Sequence, residues 1–135
     1  MRFREVPVRK AIPILSRFMK FGLVGLSNTL LTIGVIFLIA EVAHADFRLA
    51  NAIGYALGLA NSFLLNRWWT FRSNGAVPAQ IGRFLLVFCL CYAVQFGLLT
   101  LMVESFRWNT SLSQIVAMAL YTCMSYVLSR RFVYR

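Results

Sequence analysis

The sequence predicts an all-α integral membrane protein with four transmembrane helices. Of its 135 residues, 60% are hydrophobic and only 13% are charged, whereas soluble domains are about half apolar and about a quarter charged. Four nearly uncharged stretches, 21–40, 49–66, 84–103 and 108–129, have the length of about 20 residues that a helix needs to cross the hydrocarbon core. Because backbone groups in hydrocarbon must pair within their own segment, and the stretches are too long for barrel strands, each is predicted to be a helix.

Basic residues flank these stretches asymmetrically and predict the topology. Of the fourteen Lys and Arg residues, only Arg48 and Arg107 lie in the loops after spans one and three. The other twelve precede span one, join spans two and three, or follow span four. Since short cytoplasmic loops are enriched in Lys and Arg, we expect both termini and the middle loop to be cytoplasmic.

Residues 1–20 form a basic segment ahead of the membrane domain, which covers residues 21–135. Pro7 and Pro13 are expected to interrupt any continuous helix here. We expect this segment to lie along the cytoplasmic surface, where each basic residue contributes about 1 kcal/mol of attraction to anionic membrane lipids.

Composition argues against several classes of function. A net charge of +10 suits a nucleic-acid partner, but the basic residues cluster between apolar runs, so we expect no nucleic acid to bind. With four acidic residues and one histidine, general acid–base catalysis has few candidates. We therefore expect a protein that is not an enzyme, with no catalytic residues, no metal site and no cofactor.

The chain repeats itself after 63 residues. This shift aligns Lys20–Arg72 with Arg83–Arg135 without a gap, and it pairs Glu41 with Glu104 and Arg67 with Arg130. Each copy is a helical hairpin of two spans, so the two copies have the same orientation and are expected to be related by an axis along the membrane normal. Four helices enclose little interior, which favours a homo-oligomer, with a dimer as the simplest form.

Span two has one small and polar face. Residues three and four apart share a face of a helix, and here that face consists of Asn51, Gly54, Gly58, Asn61 and Ser62. One interpretation is helix packing, in which Gly54, Gly58 and Ser62 admit a neighbouring helix closely. The other is functional: amides in hydrocarbon are costly unless satisfied, so Asn51 and Asn61 line a crevice that a polar head group enters.

Span one also contains small and polar residues, like those of span two. Gly22 and Gly25 are expected to pack closely against a neighbouring helix. Asn28 and Thr29 follow them with a further amide and a hydroxyl, and these side chains are expected to complete the same crevice.

A cationic and aromatic cluster, Asn66-Arg67-Trp68-Trp69-Thr70-Phe71, ends span two. A guanidinium binds phosphate oxygens through two parallel hydrogen bonds, and Trp rings suit the headgroup level or stack on a sugar. The alternative is an ordinary interfacial belt of Trp and Arg. A similar cluster around Arg130 ends the last span, which favours phosphate binding.

Two stretches resemble the signature motifs of the GtrA-like family: residues 20–29, KFGLVGLSNT, and residues 61–71, NSFLLNRWWTF. The resemblance implies a four-span protein of the bacterial inner membrane that translocates a polyprenyl-phosphate-linked sugar, as a flippase, for cell-surface polysaccharide synthesis or glycosylation. It also implies that Arg67 and Arg130 bind the phosphate. The residues it implies for the head group or its pathway are Asn28, Asn51, Asn61, Asn66 and Trp69.

The second copy departs from the family pattern. This chain has Met124-Ser125-Tyr126 where the family often repeats Asn-x-Phe, and Ser129 where a further Asn follows. The departure implies that the second half binds less or binds differently, and only Arg130 is carried over as a functional match.

Two alternatives come from other classes of function. The first is a non-transporting membrane scaffold or subunit for a glycosyltransferase, which uses the small-residue faces for helix contact. The second is a small multidrug exporter, but the carboxylates Glu41 and Glu104 fall at the outer ends of their spans rather than in mid-membrane. No phosphate-binding loop of the G-x-x-x-x-G-K-[ST] type is present, so ATP is not expected to drive the step from within this chain.

Overall fold

The computed structural model describes the backbone from residue 8 and the side chains from residue 13. Within this part, all regular structure is helical and forms α1 (Val8–Phe37), α2 (Phe47–Leu65), α3 (Val77–Thr100) and α4 (Thr110–Leu128). The predicted all-α class with four helices is thus confirmed for the described residues.

Three stretches of the described chain are long and apolar enough to cross a membrane: Pro13–Val42, Val77–Ser105 and Thr110–Val133. They correspond to α1, α3 and α4 with their C-terminal extensions. The second helix is not among them, because its asparagines lower its mean hydropathy. Membrane crossing by α2 stays a prediction.

The predicted break at Pro13 is wrong. Residue 13 lies inside α1, which runs unbroken from Val8 into the first span. Proline removes one backbone hydrogen bond and does not necessarily end a helix, and membrane helices tolerate it where local adjustments re-satisfy the freed carbonyl. Pro7 lies outside the described residues, as do residues 1–6 of the segment predicted to lie on the membrane surface.

Each helix ends in a π-helical turn, in which a backbone N–H bonds the carbonyl five residues earlier. These turns are Leu38–Val42, Asn66–Thr70, Leu101–Ser105 and Ser129–Val133. Their closing bonds, such as that from the Phe71 N–H to the Asn66 carbonyl, are 2.9–3.2 Å long. Such turns are rare and frequently occur at functional sites.

The 63-residue repeat extends to local backbone geometry. α2 and α4 begin 63 residues apart after the caps Asp46 and Asn109, whose side chains each accept hydrogen bonds from two backbone N–H groups. The loops before these caps each contain one residue of positive φ, His44 at 54° and Arg107 at 51°. The π-helical turns also recur at this spacing. Equivalent residues thus adopt equivalent conformations, which supports the duplication.

The chain divides after Arg72 into two compact units, each a helical hairpin. In the first hairpin, α2 presents Gly54 and Gly58 to α1. A Cβ atom at Gly54 would lie 2.7 Å from Ile36 Cγ1, so the absence of a side chain permits this close approach. The Thr32 hydroxyl donates a hydrogen bond of 3.3 Å to the Gly54 carbonyl.

The close packing predicted at Gly22 and Gly25 is not found. A Cβ atom at either position would meet nothing within 4 Å. The face of α1 that contacts α2 carries Val24, Asn28 and Thr32. Gly22 and Gly25 lie on other faces of α1.

The second hairpin packs α3 against α4 around a small core. Val87, Cys91, Ala117 and Tyr126 are buried there. Most large apolar side chains of the described chain are exposed, which is the arrangement expected of helices that contact lipid.

Candidate functional site

The cationic and aromatic cluster of α2 coincides with its π-helical turn, Asn66–Thr70. Within this turn Asn66 and Thr70 are buried, with exposed fractions of 2% and 3%, whereas Trp68 and Trp69 are 67% and 42% exposed. The turn therefore separates two polar side chains on its inner face from two aromatic rings on its outer face. Arg67 lies between them and is half-buried.

The start of the first span packs against this turn. The Lys20 ammonium lies 5.5 Å from the centre of the Trp69 ring, which is within range of a cation–π interaction. The rings of Phe21 and Phe71 meet edge to face, with centroids 6.1 Å apart. The contact of Lys20 with Trp69 brings a second cation close to the turn that carries Arg67.

Unpartnered polar atoms continue from the turn into the hairpin. Asn28 Oδ1, Asn61 Nδ2, Asn66 Oδ1 and Thr70 Oγ1 are all buried without a hydrogen-bond partner among the described residues. We call these four residues the polar seam. A buried polar group left unsatisfied costs about 1–3 kcal/mol, so the seam lowers the free energy of unfolding. A ligand that supplied the missing hydrogen bonds would remove this cost.

The position of Asn28 gives the depth of the seam. Asn28 lies opposite Gly58, since a Cβ atom on that glycine would be 2.8 Å from Asn28 Oδ1. It follows Lys20 by eight residues, which in a helix is about 12 Å. Measured along α1 from Lys20, the seam is therefore about 12 Å deep, compared with the about 30 Å of a hydrocarbon core. Beyond it, the close packing of Gly54 against Ile36 closes the interface between the helices.

Asn51 and Ser62, two residues of the predicted polar face, contribute no unpartnered atoms to the polar seam. The Asn51 amide donates to the carbonyl of Phe47 at 3.0 Å, so it bonds within its own helix and lies outside the seam. Ser62 accepts a hydrogen bond of 3.4 Å from the Asn66 amide nitrogen, which orients the Asn66 side chain and leaves its oxygen unpartnered.

The second hairpin repeats the cation–aromatic pair. The Arg83 guanidinium lies 5.5 Å from the centre of the Phe132 ring, and these residues are 63 positions after Lys20 and Trp69. Arg130 occupies the place of Arg67 in the π-helical turn Ser129–Val133 and is exposed. Each arginine therefore lies beside a cation–aromatic pair of its own hairpin.

The sequence-based prediction assigns no binding role to Lys20, which it treats as a charge flanking span one and as the first residue of a signature stretch. The 63-residue repeat contained a usable signal, because it pairs Lys20 with Arg83 and Trp69 with Phe132, a cation and a ring in both copies. Thr70 belongs to the predicted cluster, but its burial depends on the π-helical turn and is not apparent from the sequence.

The described residues contain no group of three His, Cys, Asp or Glu side chains placed to hold a metal ion. The side chains described above at the site are amides, hydroxyls, cations and aromatic rings.

Comparison with known families identifies the family of this chain. The family described as "GtrA/DPMS, transmembrane domain" matches residues 20–134. The chain belongs to this family. The resemblance inferred from the two signature stretches is thereby confirmed, and both stretches, with the whole polar seam, lie within the matched residues of this GtrA/DPMS membrane domain.

Two relatives of this GtrA/DPMS protein come from Bacillus subtilis (strain 168). The uncharacterized membrane protein YngA is 35% identical over 99 residues, which are 73% of this chain and 64% of YngA. The uncharacterized membrane protein YwcD is 20% identical over 117 residues, or 84% of this chain and 92% of YwcD. The match thus spans somewhat less than two thirds of YngA, and both relatives are described only as membrane proteins.

Proposed function

We propose that this protein translocates a polyprenyl-phosphate-linked sugar across the bacterial inner membrane, as a flippase that supplies cell-surface polysaccharide synthesis or glycosylation. The observation that carries the proposal is the polar seam, a row of buried, unpartnered amide and hydroxyl groups that leads away from Arg67 and Lys20. Membership of the GtrA/DPMS family supports it.

The seam addresses the main barrier to translocation. The isoprenoid tail is apolar and remains in the hydrocarbon core throughout. A sugar phosphate loses its hydrogen bonds to water when it enters hydrocarbon, at a cost of several kcal/mol. Asn28, Asn61 and Asn66 offer replacement bonds over about 12 Å of the path. Interhelical hydrogen bonds in membranes contribute about 0.5–2 kcal/mol each, so a few of them lower the barrier substantially.

Arg67 captures the phosphate in this proposal. Its guanidinium offers a planar fork to two phosphate oxygens, and Lys20 adds a second positive charge nearby. Trp69 stacks on the sugar with the face that Lys20 does not occupy. Arg130 has the corresponding role at the second hairpin. The step involves no bond formation or cleavage, so the protein acts as a transporter and not as an enzyme.

The proposed topology places this end of the hairpin in the cytoplasm. The distribution of Lys and Arg favours cytoplasmic termini, so lipid-linked sugar made on the cytoplasmic side meets Arg67 first. We propose that the protein assembles as a homodimer, because one chain has too few helices to surround a head group.

The test is translocation by the purified protein in liposomes that contain polyprenyl phosphoglucose. A membrane-impermeant reagent added outside measures how fast the inner-leaflet sugar becomes accessible. We expect protein-dependent access that Arg67→Ala abolishes and Arg67→Lys partly retains. Arg48→Ala serves as the matched control, because this exposed arginine lies at the other end of α2 and its loss should leave the rate unchanged.

Thermal unfolding in detergent verifies that the variants remain folded. If the wild-type protein gives no access above that of empty liposomes with several different sugars, the flippase proposal is refuted. The scaffold alternative would then be favoured if the chain co-purifies with a glycosyltransferase and if Arg67→Ala leaves this association intact.

A further inference from the structure

The two hairpins have the same backbone plan but differ in their buried polar groups. The positions that correspond to Asn28, Asn61, Asn66 and Thr70 are occupied in the second hairpin by Cys91, Met124, Ser129 and Val133. Three amides and a hydroxyl are thereby replaced by a thiol, a thioether, a smaller hydroxyl and a purely apolar side chain. The replacements reduce the hydrogen-bonding capacity of these positions.

Unpartnered atoms follow the same division. Four of those in the described residues belong to the polar seam of the first hairpin, and the fifth, Ser113 Oγ, belongs to the second. Ser113 lies in the first turn of α4, 16 residues before Ser129, which is about 24 Å along a helix. The part of the second hairpin that corresponds to the seam therefore contains none of these atoms.

Polar groups inside the second hairpin interact with one another instead. The Cys91 thiol and the Tyr121 hydroxyl both interact with the Ser125 hydroxyl. Ser125 is the counterpart of Ser62, which in the first hairpin only orients the Asn66 amide. The same backbone thus supports a closed interior in one copy and unsatisfied hydrogen-bonding groups in the other.

We propose that the sugar itself is bound by the first hairpin alone, in the polar seam, and that the second hairpin contributes only the phosphate contact of Arg130. This inference rests on the proposed function for the identity of the lipid. The burial of Asn66 and Thr70, with 2% and 3% of their surfaces exposed, shows that their unpartnered atoms face the interior of the protein and not bulk solvent.

The chemistry of the seam also limits which kind of sugar it can bind. Its unpartnered atoms are two amide oxygens that accept, one amide nitrogen that donates and one hydroxyl that does both. This combination matches the hydroxyl groups of an uncharged sugar. The seam contains no carboxylate, and Lys20 and Arg67 lie at its entrance, so the cationic head group of an amino sugar is disfavoured by like-charge repulsion and by the absence of a counter-ion.

Reciprocal substitutions between the two copies provide the test, with each hairpin as the control for the other. Thr70→Val and Asn66→Ser give the seam the residues of the second hairpin. Val133→Thr and Ser129→Asn make the opposite changes. Binding is measured by the shift in unfolding temperature that polyprenyl phosphoglucose causes in detergent, with translocation in liposomes measured in parallel.

We expect Thr70→Val and Asn66→Ser each to weaken binding of polyprenyl phosphoglucose about tenfold, as expected for the loss of a buried hydrogen bond. Val133→Thr and Ser129→Asn should leave the affinity within about twofold of the wild type. Polyprenyl phosphoglucosamine should bind the wild type at least about tenfold more weakly than the glucose lipid, which corresponds to about 1.4 kcal/mol.

The binding measurement tests the assignment of the sugar site to the first hairpin, and the translocation measurement tests the flippase proposal. Equal weakening by changes in both hairpins, undiminished binding in the two seam variants, or no binding by the wild type would overturn the assignment to the first hairpin. Selective loss of binding in the seam variants, together with no translocation by the wild type, would support that assignment and refute the flippase. Equal affinity for the two sugar lipids would overturn the preference for an uncharged sugar.

Discussion

Gly58→Ala is the most informative change to the packing of the first hairpin. The added methyl group would overlap Thr32 Oγ1 and lie 2.8 Å from Asn28 Oδ1. Both atoms belong to side chains of α1 that face α2, and Thr32 is also held by its hydrogen bond to the Gly54 carbonyl. The methyl group can therefore be accommodated only if the two helices separate or if that hydrogen bond breaks.

The size of the effect is best measured against a second glycine. Overpacking of a tight interface costs about 1–3 kcal/mol, while Gly→Ala in a helix gains about 1 kcal/mol from helix propensity. Gly25→Ala gains the same propensity, but its methyl group meets nothing within 4 Å. The difference in the free energy of unfolding between the two variants thus isolates the overpacking cost, and we expect Gly58→Ala to be less stable by about 1–3 kcal/mol.

The free energy of unfolding can be measured by titration with sodium dodecyl sulfate in mixed micelles, followed by circular dichroism. If Gly58→Ala and Gly25→Ala agree within about 0.5 kcal/mol, the close contact between α1 and α2 at Gly58 is refuted. We also expect Gly58→Ala to slow translocation, because its methyl group points at the Asn28 oxygen of the polar seam.

Further predictions concern single residues and use the same unfolding assay. Thr70→Val should raise the free energy of unfolding by about 1 kcal/mol while it slows translocation, because it removes a buried hydroxyl without a partner; a destabilised variant would contradict the unpartnered state of that hydroxyl. Asp46→Ala should cost about 1 kcal/mol through loss of the N-cap of α2, whereas Asp46→Asn should stay near the wild type. Arg107→Gly should be more stable than Arg107→Ala by about 1 kcal/mol, since glycine adopts a φ of 51° without steric cost; equal stability would argue against this backbone conformation.

The polar seam illustrates a general relation between stability and function. Unsatisfied polar groups lower the stability of the folded chain, so they persist where function requires them. The second hairpin shows that the same fold can be built without them, with Val133 in the place of Thr70. The internal duplication therefore provides a natural comparison between a closed interior and one suited to a polar ligand.

Much of the architecture could be predicted from the sequence because it depends on local properties. Long uncharged runs require helices in a membrane, and the 63-residue repeat identified two hairpins whose caps and turns coincide in the structure. The cluster around Arg67 was also recognisable, because its residue types are adjacent in the chain. Family membership followed from the same stretches.

The tertiary structure decided which polar residues are satisfied. The sequence placed Asn51 and Asn61 on the same face of α2, but Asn51 bonds to its own helix while Asn61 has an unpartnered nitrogen. It also marked Gly22 and Gly25 for close packing, which α1 instead achieves with another face. Periodicity specifies which residues share a face, whereas hydrogen-bond satisfaction depends on which side chains of the neighbouring helix lie opposite, and only the packing of α1 on α2 determines that.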